Sequence, residues 1–143
     1  MTQNFTSAVA EVAEVVAAIS GIGAAPATPQ ENINERVFAL TYLMTSVTEI
    51  SETGTKQHLA TVAIDILTPH AVLSDNIAAL LPIVDLVDTA LITEITTVSA
   101  FFDGSIDTYA NLRWEFLPFY EYSGVICVGY RAMLEEIKQK INL

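Results

Sequence analysis

Residues 95–143 read ITTVSAFFDGSIDTYANLRWEFLPFYEYSGVICVGYRAMLEEIKQKINL. β-branched and aromatic residues crowd this stretch, and Tyr120-Glu121-Tyr122-Ser123-Gly124 interrupts it as a turn. The pattern predicts strands at about 94–102, 108–116 and 125–134, with Asp103-Gly104 turning the chain between the first two. The last residues admit two readings. Residues 132–141 are rich in helix formers, and Glu136 and Lys140 have the four-residue spacing that supports a helix. Their alternating charges suit a long edge strand equally well. Aromatics invested in long hairpins, with no reactive cluster beside them, suggest a part of an assembly.

Upstream, residues 36–50 alternate Phe38, Leu40, Tyr42 and Met44 with Val37, Ala39, Thr41 and Leu43, which predicts a long strand. Glu52-Thr53-Gly54-Thr55 is a turn signal, and residues 57–67 form a second strand with Val62, Ile64 and Ile66 on one face. Together they predict a hairpin with a polar tip. An N-terminal helix over about 6–20 follows from Val9, Val12, Val16 and Ile19 at spacings of three and four. Thr6 or Ser7 is its expected N-cap, and Gly21 and Gly23 are its stop. Pro69 is expected to end the second strand. A central helix runs from an N-cap at Ser74 to about Ile92, with Pro82 kinking or breaking it near 78–81. The order α-β-β-α-β-β-β predicts a single α+β domain over residues 1–143. It is a mostly antiparallel sheet with a long hairpin, packed against an N-terminal and a central helix.

The chain has 143 residues, 52% of them hydrophobic, and a mean hydropathy of +0.44. A domain of this size has little interior for so much apolar area, so a large contact between subunits is its natural outlet. Net charge is −11, from 17 acids against 6 bases. With so few cations to neutralise phosphates, tight nucleic-acid binding is not expected. An acidic surface would instead let DNA pass ungripped. The single Cys127 has no partner for an internal disulfide and is expected as a buried, inert thiol. Residues 5–27 are apolar, but Glu11 and Glu14 interrupt them and no cation precedes them, so neither a signal peptide nor a membrane span is expected.

Candidate chemistry is sparse. His58 and His70, the two histidines, lack the tightly spaced companions of a metal site and are expected in loops. Asp85 and Asp88 lie three apart on one helix and read as a solvated face rather than an acid–base pair. Asp103 and Asp107 are expected to serve a turn. Nucleophile-elbow, phosphate-loop and dinucleotide fingerprints do not occur, so no catalytic residue, cofactor or metal is expected. Trp114, Phe116, Phe119, Tyr120, Tyr122 and Tyr130 form an aromatic band. Core packing accounts for it first, contact between subunits second, and a ligand pocket or stacking platform last.

The element order and the aromatic-glycine turn of residues 119–124 resemble the tail terminator (tail-completion) proteins of long-tailed bacteriophages. The resemblance covers most of the chain as a pattern rather than as a signature motif. It implies a homohexameric ring at the head-proximal end of the tail, which stops growth of the tail tube and joins it to neck or connector proteins while DNA passes through the lumen. It also implies assembly in the host bacterial cytoplasm and residence in the virion. On this reading the strand around Phe38, Leu40 and Tyr42 packs the subunit. The hairpin tip of Glu52, Thr53, Gly54, Thr55 and Lys56 touches a neighbour or the tube, and Trp114, Tyr120 and Tyr122 contribute to the assembly interface. The other readings are a different neck or tail-tube subunit, or a small α+β ligand-binding protein or enzyme.

Overall fold

The computed structural model describes residues 4–19, 21–22, 37–50, 54–69, 73–96, 111–122 and 124–142. Helix α1 (Phe5–Ala17) leads to strands β1 (Phe38–Ile50) and β2 (Thr55–Pro69). Helix α2 (Leu73–Thr96) follows, and then strands β3 (Asn111–Tyr122) and β4 (Val125–Asn142). The four strands form one sheet in the order β1-β2-β4-β3, every neighbour antiparallel. This is the expected α+β architecture, two long hairpins joined through β2 and β4 with both helices on one face.

The core lies between that face and the helices. Ala8, Val12 and Val16 recur every four residues on α1, and Leu80, Val87 and Leu91 supply the buried stripe of α2. They meet Ala39 on β1, Ala60, Val62, Ile64 and Ile66 on β2, and Ala132, Leu134 and Ile137 on β4. The opposite face carries a second apolar cluster of Phe38, Leu40, Leu67 and Cys127, against which Leu117, Tyr120 and Tyr122 pack.

Two irregularities around Thr61 organise the sheet. Leu43 pairs with Val62 and Thr45 with Thr61, leaving Met44 as an extra residue on β1. On the other side, Val62 pairs with Leu134 and Ala60 with Ile137, so Glu135 and Glu136 together oppose Thr61. Glu136 has φ 55, a left-handed conformation that glycine adopts more readily. Each bulge shifts the inward set by one residue. That is why Leu134 and Ile137, three apart, both face the helices. It is also why residues 132–141 imitate a helix in sequence while forming the far half of an 18-residue strand.

Several expected boundaries move. The N-cap of α1 is Asn4, not Thr6 or Ser7. Asn4 Oδ1 accepts from the Ser7 amide at 2.7 Å, and Ser7 Oγ accepts from the Asn4 amide at 3.1 Å. Helix α2 already includes Leu73, so Ser74 is not its cap, and it continues unbroken through Pro82 to Thr96. Pro82 and Ala78 both lie on its exposed side, so the carbonyl that proline leaves without an amide donor is not shut away in the core. The strand expected at 94–102 is therefore displaced at its start by the helix, and its remainder lies outside the described residues, as do Gly23 and the Asp103-Gly104 turn. Strand β3 is described from Asn111, with residues 108–110 outside the described set, and it runs past the expected end at 116 to Tyr122. Pro69 belongs to β2, paired with Cys127 at the strand end.

Gly129 packs against the backbone of β2, and a Cβ built there would overlap the Ile66 carbonyl oxygen. Gly129→Ala is expected to destabilise the fold by about 2–3 kcal/mol through forced backbone displacement, whereas Glu136→Gly is expected to stabilise it by roughly 0.5–1 kcal/mol by relieving the positive φ. Urea unfolding of the two variants, followed by circular dichroism, checks both signs.

Candidate assembly surface and its support

A polar row crosses the sheet on the face opposite the helices. Register sets Leu40 beside Asp65, Asp65 beside Arg131, and Arg131 beside Glu115. Asp65 is fully buried. Its Oδ1 accepts from Arg131 Nε at 2.7 Å, and its Oδ2 accepts from Arg131 Nη2 at 3.2 Å and from the Tyr42 hydroxyl at 2.9 Å. Arg131 Nη1 reaches Glu115 at 3.4 Å. The bidentate fork satisfies a carboxylate that the interior would otherwise penalise by several kcal/mol. It ties the middle of β2 to the middle of β4.

Burial first, and then the Asp65 charge, push the Tyr42 hydroxyl above its ordinary value of 10.0. The same two causes raise Tyr120. Hydrogen bonding to Asp65 leads the causes that raise Arg131, and burial raises the Cys127 thiol. Both tyrosines are thus held neutral as donors, and the guanidinium is occupied by carboxylates. The row supports the sheet. Among the described residues no group of three or more His, Cys, Asp or Glu is placed to hold a metal ion, and no helix is long and apolar enough to cross a membrane.

His58 is a buried strand residue, not a loop histidine. Its Nδ1 lies 3.0 Å from Gln139 Oε1, and its ring stacks on Phe5 at 4.0 Å. Gln139 Nε2 donates to the Asn4 carbonyl at 2.8 Å, pinning the first turn of α1 to β4. His70, Asp103 and Asp107 lie outside the described residues. The expected pair of solvated acids separates: Asp85 is exposed, while Asp88 is half-buried and accepts from Trp114 Nε1 at 2.8 Å.

Of the residues expected at an interface, Glu52 and Thr53 lie outside the described set. Gly54 is exposed with φ 81, as the β1–β2 turn requires. Thr55 opens β2 beside Asn142, and the half-buried Lys56 pairs with Ile50 and Ile141. Trp114 stands on the helix side, packed against the main core. Tyr120 and Tyr122 stand on the other side, where the Tyr122 ring packs tilted against Phe38, centroids 5.6 Å apart. These three aromatics therefore form no common patch.

The exposed apolar residues are others. Val47 and Ile50, on the far half of β1, are 57% and 74% exposed. Phe116, Phe119, Val125 and Ile126 are exposed toward the β3–β4 turn, and Leu81, Leu86 and Ile92 on α2. Sequence alternation could not single these out, because a strand buried on one side and a strand awaiting a partner share the same pattern. Residues 45–50 are exposed without interruption, so this segment is bare on both faces. Comparison with protein-family models finds no match, and no curated protein matches the chain.

Removing one partner of the buried pair leaves the other uncompensated. Asp65→Ala is expected to lose about 3–5 kcal/mol, and Asp65→Leu with Arg131→Met is expected to lose less than either single change. The raised hydroxyl of Tyr42 adds a pH signature. Its contribution is fully present below pH 10, where both folded and unfolded tyrosine are protonated. Above that the unfolded chain releases the proton and the folded chain does not, so stability falls as pH rises. Tyr42→Phe is expected to flatten this alkaline slope in unfolding measured between pH 8 and about 11.

Proposed function

We propose that this chain is a structural virion protein, a ring-forming tail terminator that caps the tail tube of a long-tailed phage and joins it to the head through the neck. The supporting observation is the bare far half of β1: a strand segment of β-branched residues that is exposed on both faces, at the rim of an otherwise well-packed domain. An isolated protein gains nothing from such a segment, and natural sheets usually protect their edges. Further apolar exposure on α2 and near the β3–β4 turn adds to the surface available to neighbours.

On this reading the mechanism is geometric. One face of the ring docks on the tube, and the opposite face offers the neck a different surface, so addition of tube subunits stops. No reaction is involved. The acidic balance, −11 over the chain, repels DNA from the walls and lets it move through. The partners are copies of the chain itself, the tail tube and the neck or connector proteins.

Native mass spectrometry and electron microscopy of the purified chain test the proposal. The expected result is a ring of about six copies of the 15.5 kDa chain. A single chain at all concentrations up to the millimolar range refutes it. Replacing the tip residues 52–56 with a short glycine-serine turn is expected to leave the domain folded but to block joining of tails to heads, scored by counting tailed particles.

A further inference from the structure

The two outer strands of the sheet differ in a way that makes them mates. Because all neighbours in the order β1-β2-β4-β3 are antiparallel, β1 and β3 run in opposite directions. Copies set side by side, β1 of one against β3 of the next, therefore meet antiparallel and continue the alternation without a break. Such a head-to-tail contact is heterologous, the kind that closes into a ring when the rotation between copies divides a full turn. Among the described residues, each of these strands pairs on one side only.

The lengths agree. On β1 the bare segment is 45–50. On β3, residues Asn111 to Leu117 pair with Glu135 to Gly129 in unbroken register; then Pro118, which has no amide hydrogen, and a bulge end the regular edge. We infer that residues 45–50 of one copy pair with this part of β3 in the next copy, so that one sheet runs on from subunit to subunit.

Sidedness and charge select the register. Facing side chains of a continuous sheet point to the same side. Ser46 and Thr48, opposite Ala60 and His58, stand on the helix side; Leu112, Trp114 and Phe116, opposite Leu134, Ala132 and Tyr130, do so on β3. Thr48 therefore faces Leu112, Trp114 or Phe116. The last choice sets Glu49 against Glu115, two like charges. The first sets it against Asn111. The middle choice sets Glu49 against Arg113, whose side chain is 58% exposed beside Glu135, and Ile50 against Leu112. It matches the one charge on the bare segment with the one cation on the β3 edge. Within its own subunit Trp114 stands level with Thr41, through Ala132 and Ile64. In the neighbour it meets Thr48, about seven positions further along β1. This offset is the stagger that a sheet needs to close on itself.

The joint rests on the ring reading for its closure, and a charge exchange tests the two separately. Glu49→Lys and Arg113→Glu each set like charges across every joint. Both sites are exposed, so each variant is expected to keep the circular dichroism of the parent. Alone, each is expected to need an about fivefold or higher concentration for half-assembly in sedimentation velocity. Mixed in equal amounts, they are expected to regain the parent's midpoint, because alternating copies restore opposite charges at every contact. Native mass spectrometry then shows equal numbers of the two variants in each ring. If the parent forms rings but the mixture behaves no better than its components, the joint lies elsewhere and the ring reading stands. If the parent never assembles, both fail.

Discussion

Thr61 is the point on which the rest of the sheet turns. An extra residue on β1 and an extra residue on β4 both fall against it, so the two strands flanking β2 change their inward set at the same level. Bulges raise local twist and bend the strand that carries them. Two of them in line let strands of 13, 15 and 18 residues keep one hydrophobic face toward the helices over their whole length. Without the shift, Ile137 would point to the solvent side and the far half of β4 would have no reason to follow β2. With it, the His58, Gln139 and Asn4 contacts become possible, and the first turn of α1 is anchored on the sheet beyond the bulges.

The buried pair of Asp65 and Arg131 belongs to the same arrangement. It sits across the two central strands on the side without helices, between the apolar cluster around Phe38 and the bulge level. A buried ion pair contributes little to stability against apolar residues of the same size, but it tolerates few alternative registers. A slip of one residue would send Asp65 to the helix side, into apolar packing, without Arg131. Long strands with repetitive β-branched sequence are prone to such slips, and Tyr42, Arg131 and Glu115 converging on one carboxylate oppose them. The network thus specifies pairing more than it adds strength.

How much of this was legible beforehand depended on whether one element's pattern sufficed. Alternation along 36–50 and 57–67 placed the first hairpin within two or three residues, and the valines of 9–16 placed α1. The far half of β4 stayed open between helix and strand because the bulge at Glu135 and Glu136 gives Leu134 and Ile137 a helical spacing. Only the opposing strand decides between them. Helix α2 overran its expected end at Ile92, and there Thr93, a residue whose intrinsic preference is for strands, donates its hydroxyl back to the Thr89 carbonyl at 2.7 Å within the helix. The buried contacts of His58 and Asp88 were illegible for another reason. Their partners, Gln139 and Trp114, are distant in sequence, and no spacing rule links them.

The surplus of apolar residues was visible in the composition, but its location was not. Most of the aromatic band turned inward: Trp114 to the helices, Tyr120 and Tyr122 to the opposite face. What remained outside is a strand edge with one charge and small clusters on α2 and near the β3–β4 turn. A sheet edge differs from an apolar face as a contact. Its hydrogen-bonding groups demand a strand and fix its direction, whereas an oily patch accepts many shapes. In the joint inferred above, the two edges run in opposite directions, one nearly uncharged and the other cut short by proline, and each copy is added in the same sense. Each such joint uses up the edge that a wrong partner would need, and closure of the ring leaves no edge unpaired.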